Sequence, residues 1–231
     1  NNSNGYRNTT GSPSNINTIK LNDTTVVMSG DDLHSSGGSC IYICDVASNK
    51  STVLRKDTAR HREFIFKLND HSIVVCDAMQ RMHIWDSDVW GYTGILIGHD
   101  IIDFVNSVFE LKKGTIVSNG NRCLCVWNLN DIDENGNLNT PFVYLYHDFA
   151  INGGHQLMIK FNDTTVVSAC EDIVFIWDLS DLANISKRAL QSHCQTIDFL
   201  IKLNDTTIVT AARNPSYSSN GYLTPSADGD E

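Results

Sequence analysis

No stretch of about 18 or more apolar residues occurs in this chain, so no segment reads as a membrane-spanning helix. The start has neither a methionine nor a basic-then-apolar run, and no secretory signal is expected. Basic residues are scarce: 17 Lys and Arg stand against 27 Asp and Glu, for a net charge of −10. A nucleic-acid surface needs clustered cations that displace counterions from phosphate, so nucleic acid is not an expected partner, and neither is a membrane. Glycine-rich phosphate loops, His-Glu-x-x-His helices and nucleophile elbows are missing. Proline is rare and apolar content reaches 41%, which suits a globular chain rather than a disordered one.

Cysteine is present but badly placed for cross-linking. The seven cysteines are odd in number and none forms a Cys-x-x-Cys pair. Cys40, Cys44, Cys76, Cys123 and Cys125 fall on or beside expected strands, with Cys170 just after one, so reduced, buried thiols in an intracellular, cytoplasmic protein are expected. Cys123 and Cys125 share one face of a strand, as do Cys40 and Cys44. Zinc would need four converging ligands, and no second pair has matching spacing. No metal and no cofactor are therefore expected. Three Asn-x-Thr triplets, at Asn22, Asn162 and Asn204, are explained by a turn that recurs, without glycosylation.

That turn belongs to a larger repeat. Residues 159–179, IKFNDTTVVSACEDIVFIWDL, read as three short strands, Ile159–Phe161, Thr165–Ala169 and Ile173–Leu179, separated by Asn-Asp and Glu-Asp turns. The entry phrase returns as IKLNDTTVV at 19–27, FKLNDHSIVV at 66–75, FELKKGTIV at 109–117 and IKLNDTTIV at 201–209. The exit phrase returns as IYICDV, HIWDS and CVWNL. Leu21, Leu68, Leu111, Phe161 and Leu203 stand 42 to 50 residues apart. In IVFIWDL both sets of alternating side chains are apolar, as a sheet covered on two faces requires.

The repeat divides the chain into units at 15–59, 60–98, 99–149, 153–193 and 194–225, after a polar leader at 1–14 and before a frayed tail at 226–231. Unit one has an enlarged loop, Gly30 to Ser39. Unit two places Trp90 and Tyr92 in a turn, where packing against a neighbouring strand is expected. Unit three carries an acidic insertion, NDIDENGN at 130–137, expected to be a solvated loop that holds no calcium. Unit five contributes Phe199–Leu203, Thr207–Ala211 and a third strand at Tyr222–Thr224.

These residues resemble the WD-repeat β-propellers over roughly 15–212. Unit three matches most fully, with Gly98-His99, Gly114 to Ser118, and Trp127-Asn128 in the places of the family's Gly-His, second strand and closing Trp-Asp. Cys44 departs from the pattern in unit one, and Asn128 in unit three. The resemblance implies an all-β propeller of four-stranded antiparallel blades, with four complete units and a partial fifth. An open arc, or part of a propeller of about seven blades, is expected, and a five-bladed ring is the alternative. It also implies a structural hydrogen-bond chain in each blade: His99, Ser118, Asn121 and Trp127 in unit three, and His155, Ser168, Glu171 or Asp172, and Trp177 in unit four. His61 and His193 sit at other junctions. A catalytic triad would occur once, whereas a strut recurs, so no catalytic residue is expected here.

The expected function is that of a non-catalytic scaffold presenting loops on one face of a rigid propeller to a protein or peptide partner. Asp31, Asp32, His34, Arg81, Arg122, Asp172 and Arg213 are the expected contacts. The alternatives are a propeller hydrolase or lyase with an acidic channel site, and a sugar-binding extracellular propeller with glycans at Asn8 or Asn184.

Overall fold

The computed structural model describes residues 18–31, 39–57, 64–69, 71–77, 79–99, 105–147, 156–191, 193 and 195–212. These residues are all-β, in antiparallel sheets of mostly four strands, with no α-helix among them. His61, Asp32, His34, His155, Arg213 and the expected strand at Tyr222–Thr224 lie outside the described residues, as does most of the Gly30–Ser39 loop. The chain forms two compact units, Asn1–Thr93 and Gly94–Glu231.

In the first unit, β1 (Thr18–Lys20), β2 (Thr25–Asp31), β3 (Ser39–Asp45) and β4 (Lys50–Asp57) pair in chain order. A second sheet follows with β5 (Phe64–Asn69), β6 (Ser72–Cys76), β7 (Met82–Asp86) and β8 (Gly91–Leu96), whose residues from Gly94 onward belong to the second unit. Repeated turn chemistry joins the strands. The Asn22 side chain accepts the Thr24 N–H at 3.0 Å, and Asn69 accepts the His71 N–H at 2.9 Å, so each asparagine closes its own bend. Leu21, Val27 and Ile41 from the first sheet bury together with Ile65, Ile73 and Val75 from the second. Burying each removes apolar surface worth about 1.5–3 kcal/mol. Trp90 packs against this core, while Tyr92 meets the edge of Trp85 at 5.7 Å and stays half-exposed. Trp90 takes φ +49° to make that turn, a left-handed conformation a bulky residue rarely adopts.

In the second unit, β9 (Ser107–Lys112), β10 (Thr115–Asn119), β11 (Cys123–Asn128) and, after a short β12 (Asn137–Leu138), β13 (Val143–Tyr146) make the third sheet in the order β13-β11-β10-β9. The fourth is β14 (Gln156–Lys160), β15 (Thr165–Cys170), β16 (Ile173–Asp178) and β17 (Ser186–Gln191), paired in chain order. A final hairpin pairs β18 (Ile197–Lys202) with β19 (Ile208–Ala212). Alternation along β16 gives the fourth sheet two buried faces. Phe175 and Trp177 join Leu111, Leu124 and Val126 of the third sheet, while Val174 packs with Ile197 and Leu200 of the hairpin.

The acidic insertion is only partly a loop. Leu129–Asp131 form a 3-10 turn, and Asn137–Leu138 pair in parallel with Ile95 and Leu96 of β8. The Gly136 carbonyl accepts the Ile95 N–H at 2.7 Å and Leu138 is buried, so a local apolar residue and a bare glycine outweigh the surrounding acidity. Gly94 permits the approach, because a Cβ there would stand 2.9 Å from the Gly136 oxygen.

Gly98 has an equally specific reason. A Cβ on it would meet the Trp127 ring at 2.6 Å and Pro141 at 2.7 Å, so the indole lies directly on the glycine backbone. Trp127 is fully buried and its neighbours leave no room to retreat. Gly98→Ala is expected to cost about 1–3 kcal/mol through overpacking, read as a lower denaturant midpoint; an unchanged midpoint would contradict this contact.

Candidate functional site

Two places in the third and fourth sheets carry the same arrangement. The Trp127 indole N–H donates to the Ser118 hydroxyl at 2.8 Å, and His99 Nε2 lies 2.7 Å from that same oxygen. In the fourth sheet Trp177 donates to Ser168 at 2.8 Å, with His147 Nε2 at 3.0 Å. Both serines have zero exposure. The pairing registers agree: Trp127 stands opposite Ile116 and Trp177 opposite Val166, which puts each serine two residues further along its strand. In the final hairpin His193 Nε2 lies 2.8 Å from the Thr210 hydroxyl, at the corresponding position.

His147, which the sequence reading did not name, thus meets the serine of the fourth sheet; the expected His155 lies outside the described residues. His147 follows β13 directly, with no glycine before it. The Asn121 side-chain oxygen accepts from Asn106 at 3.0 Å, and the Cys125 sulfur lies 3.9 Å from His99 Nδ1. Glu171 and Asp172 form the turn between β15 and β16, where Glu171 adopts φ +54° and its carbonyl accepts the Ile197 N–H.

The second sheet has the tryptophan without the hydroxyl. Trp85 stands opposite Ile73, so the serine position is Val75, and the buried Trp85 Nε1 has no hydrogen-bond partner among the described residues. An ionic cluster, absent from the sequence expectations, stands beside it. Asp77 is 3% exposed and accepts from the backbone N–H groups of Met79 and Arg81. It also meets Arg81 at 2.7 Å and His83 Nε2 at 2.9 Å. Burial raises the Asp77 pKa, but hydrogen bonds first from His83 and then from Arg81 outweigh it and hold the carboxyl well below the usual carboxylate range. Arg81, an expected partner contact, is engaged in this cluster. Burial, with Asp77 adding to it, pushes the adjacent Cys76 thiol far up, which leaves it unreactive.

Of the other expected contacts, Arg122 is exposed and Asp172 half-buried on second-to-third-strand turns, and Asp31 ends β2. A groove of about 600 Å³ lies elsewhere in the second unit. Phe161, Val167, Ile176, Leu190 and Ile208 supply its apolar lining, with Arg188 and Asp178 among the polar groups. A groove of about 640 Å³ in the first unit is polar, and its Lys20–Asp23 and His71–Asp88 pairs are solvent-exposed.

Set against known protein families and curated proteins, the chain matches none of them.

Removing the shared hydroxyl with Ser118→Ala leaves an indole N–H and an imidazole without their common partner in a dry site, at a cost of about 2–3 kcal/mol. Val75→Thr, which supplies a hydroxyl near Trp85, is expected to cost at least about 1 kcal/mol less than Val117→Thr in the same urea melts; equal costs would contradict the vacancy at Trp85. Asp77 makes stability acid-sensitive. Its folded pKa is depressed, so its contribution is present above the unfolded pKa of about 3.9 and is lost as pH falls through the folded pKa. Asp77→Asn is therefore expected to lower stability at pH 7 and to flatten its decline below about pH 4.

Proposed function

We propose that the chain is a non-catalytic interaction scaffold of the WD-repeat type, whose rigid sheets hold a binding surface for an extended segment of a protein partner. The observation that carries this reading is the groove beside β17. An apolar concavity on a four-stranded sheet, with charge at its margin, has the character of a recognition surface. β17 is the last strand of its sheet and exposed along its whole length, so a peptide backbone has an edge to pair with. Ser186, Arg188 and Leu190 turn the same way into the groove, with Ile176 and Val167 behind them. A partner strand with alternating apolar side chains and a carboxylate opposite Arg188 complements that pattern.

The Ser–His pairs support a scaffold over a hydrolase. Each serine is sealed from solvent and shared with a tryptophan, and the arrangement occurs twice, as a strut would and a nucleophile would not. Among the described residues, every aspartate whose acidity shifts becomes more acidic, including Asp77, Asp178 and Asp181, whereas a general acid needs the opposite shift.

Selection from a randomised peptide display library against the full chain tests the reading. Enriched peptides are expected to alternate apolar residues and to carry an acidic one. Arg188→Glu should weaken them about tenfold or more, equivalent to about 1.4 kcal/mol, and Leu190→Asp should abolish binding. Peptides that bind both variants as well as the parent, or no enrichment at all, would remove the groove as the partner site.

A further inference from the structure

We propose that His99, Cys123 and Cys125 form a binding site for a soft closed-shell cation, Zn²⁺ or Cu(I), within the third sheet. The sequence led to the opposite expectation, because two thiols on one strand are too few ligands. The fold adds the third donor: His99, distant in sequence, brings Nδ1 to 3.9 Å from the Cys125 sulfur. The two sulfurs lie 3.9 Å apart, and all three donor atoms fall within 4.8 Å of one another. Bonds of about 2.3 Å to thiolate and about 2.0–2.1 Å to imidazole place donors roughly 3.5–4 Å apart around a tetrahedral or trigonal ion. The observed separations need only a small closure to reach that range.

The site is dry and its imidazole is already aimed. Cys125 is fully buried, with Cys123 and His99 nearly so. His99 Nε2 rests on the Ser118 hydroxyl, which fixes Nδ1 toward the sulfurs; with a cation bound, Nε2–H donates to that oxygen, the outer contact that orients a ligating histidine. Zn²⁺ displaces two thiol protons to solvent and leaves two thiolates and a neutral ring, a set of zero net charge suited to burial. The three donors complete a trigonal Cu(I) site, and would leave Zn²⁺ one further position.

The fourth sheet shows that the strut itself does not call for thiols. By register, Cys125 corresponds to Phe175 and Cys123 to Ile173. There the His147 ring packs on Phe175 at 5.2 Å, and the serine and tryptophan bonds are the same. Nor do the two cysteines suit a disulfide. Alternate residues of a strand hold their Cβ atoms well beyond the roughly 3.5–4.5 Å that a disulfide spans.

The test uses the full chain, reduced and stripped by a chelator. Zn²⁺ is titrated against a chromophoric chelator, and Cu(I) against a competing Cu(I) chelator, in separate arms. One equivalent is expected in at least one arm, and which arm responds identifies the cation. Binding should persist in a Cys40→Ser/Cys44→Ser variant and vanish in Cys123→Ile/Cys125→Phe, which copies the fourth sheet's residues and so preserves packing. Co²⁺ provides an independent readout on the parent chain: a thiolate charge-transfer band that weakens in Cys123→Ser. Ser118→Ala should reduce affinity about 10–100-fold while leaving the stoichiometry at one. No bound equivalent in either arm, or undiminished binding by Cys123→Ile/Cys125→Phe, would overturn the proposal.

Discussion

One hydroxyl holding two rings is the interaction on which the third and fourth sheets depend. A serine oxygen with zero exposure accepts an indole N–H and meets an imidazole nitrogen, so three side chains from separated stretches of chain lock around one atom. In a dry site each of these polar groups would be costly without a partner, so satisfying all three at once ties strand register to the preceding junction. In the third sheet Trp127 is then held over the backbone of Gly98, and in the fourth Trp177 joins the apolar core.

The same position along successive strands carries very different chemistry, with the strut or without it. Two residues before the tryptophan the chain carries His83, Cys125 and Phe175; four before it carries Arg81, Cys123 and Ile173. In the second sheet the result is a buried aspartate satisfied by arginine and histidine, beside a tryptophan that has lost its hydroxyl. In the third it is a pair of thiols facing an imidazole, and in the fourth an aromatic stack. Repetition supplies the frame, and variation at one pair of positions supplies whatever is particular to each sheet.

Much of the architecture was legible because period-two alternation and Asn-Asp turns are local signals. The second and third strands of IKFNDTTVVSACEDIVFIWDL fall where alternation puts them, the first runs earlier, over Gln156–Lys160 and not Ile159–Phe161, and the asparagine of the turn caps its own bend. The insertion at 130–137 is the solvated loop its charges suggest over most of its length, and Asn137 with the following Leu138 decides its pairing, which composition does not show. His147 was missed because it follows β13 with no Gly-His motif and is identified only by what it touches.

The sequence by itself determined the strand content, the repeat length and the places where serine, tryptophan and cysteine recur, because these follow from side-chain period and turn chemistry within a few residues. Only the tertiary structure decided which histidine meets which serine, that Asp77 is buried among Arg81 and His83, and that His99 reaches the Cys123–Cys125 pair. Those contacts join residues separated by loops of variable length. Their selection depends on which polar groups must be satisfied once the apolar faces have closed, and no local pattern in the chain encodes that.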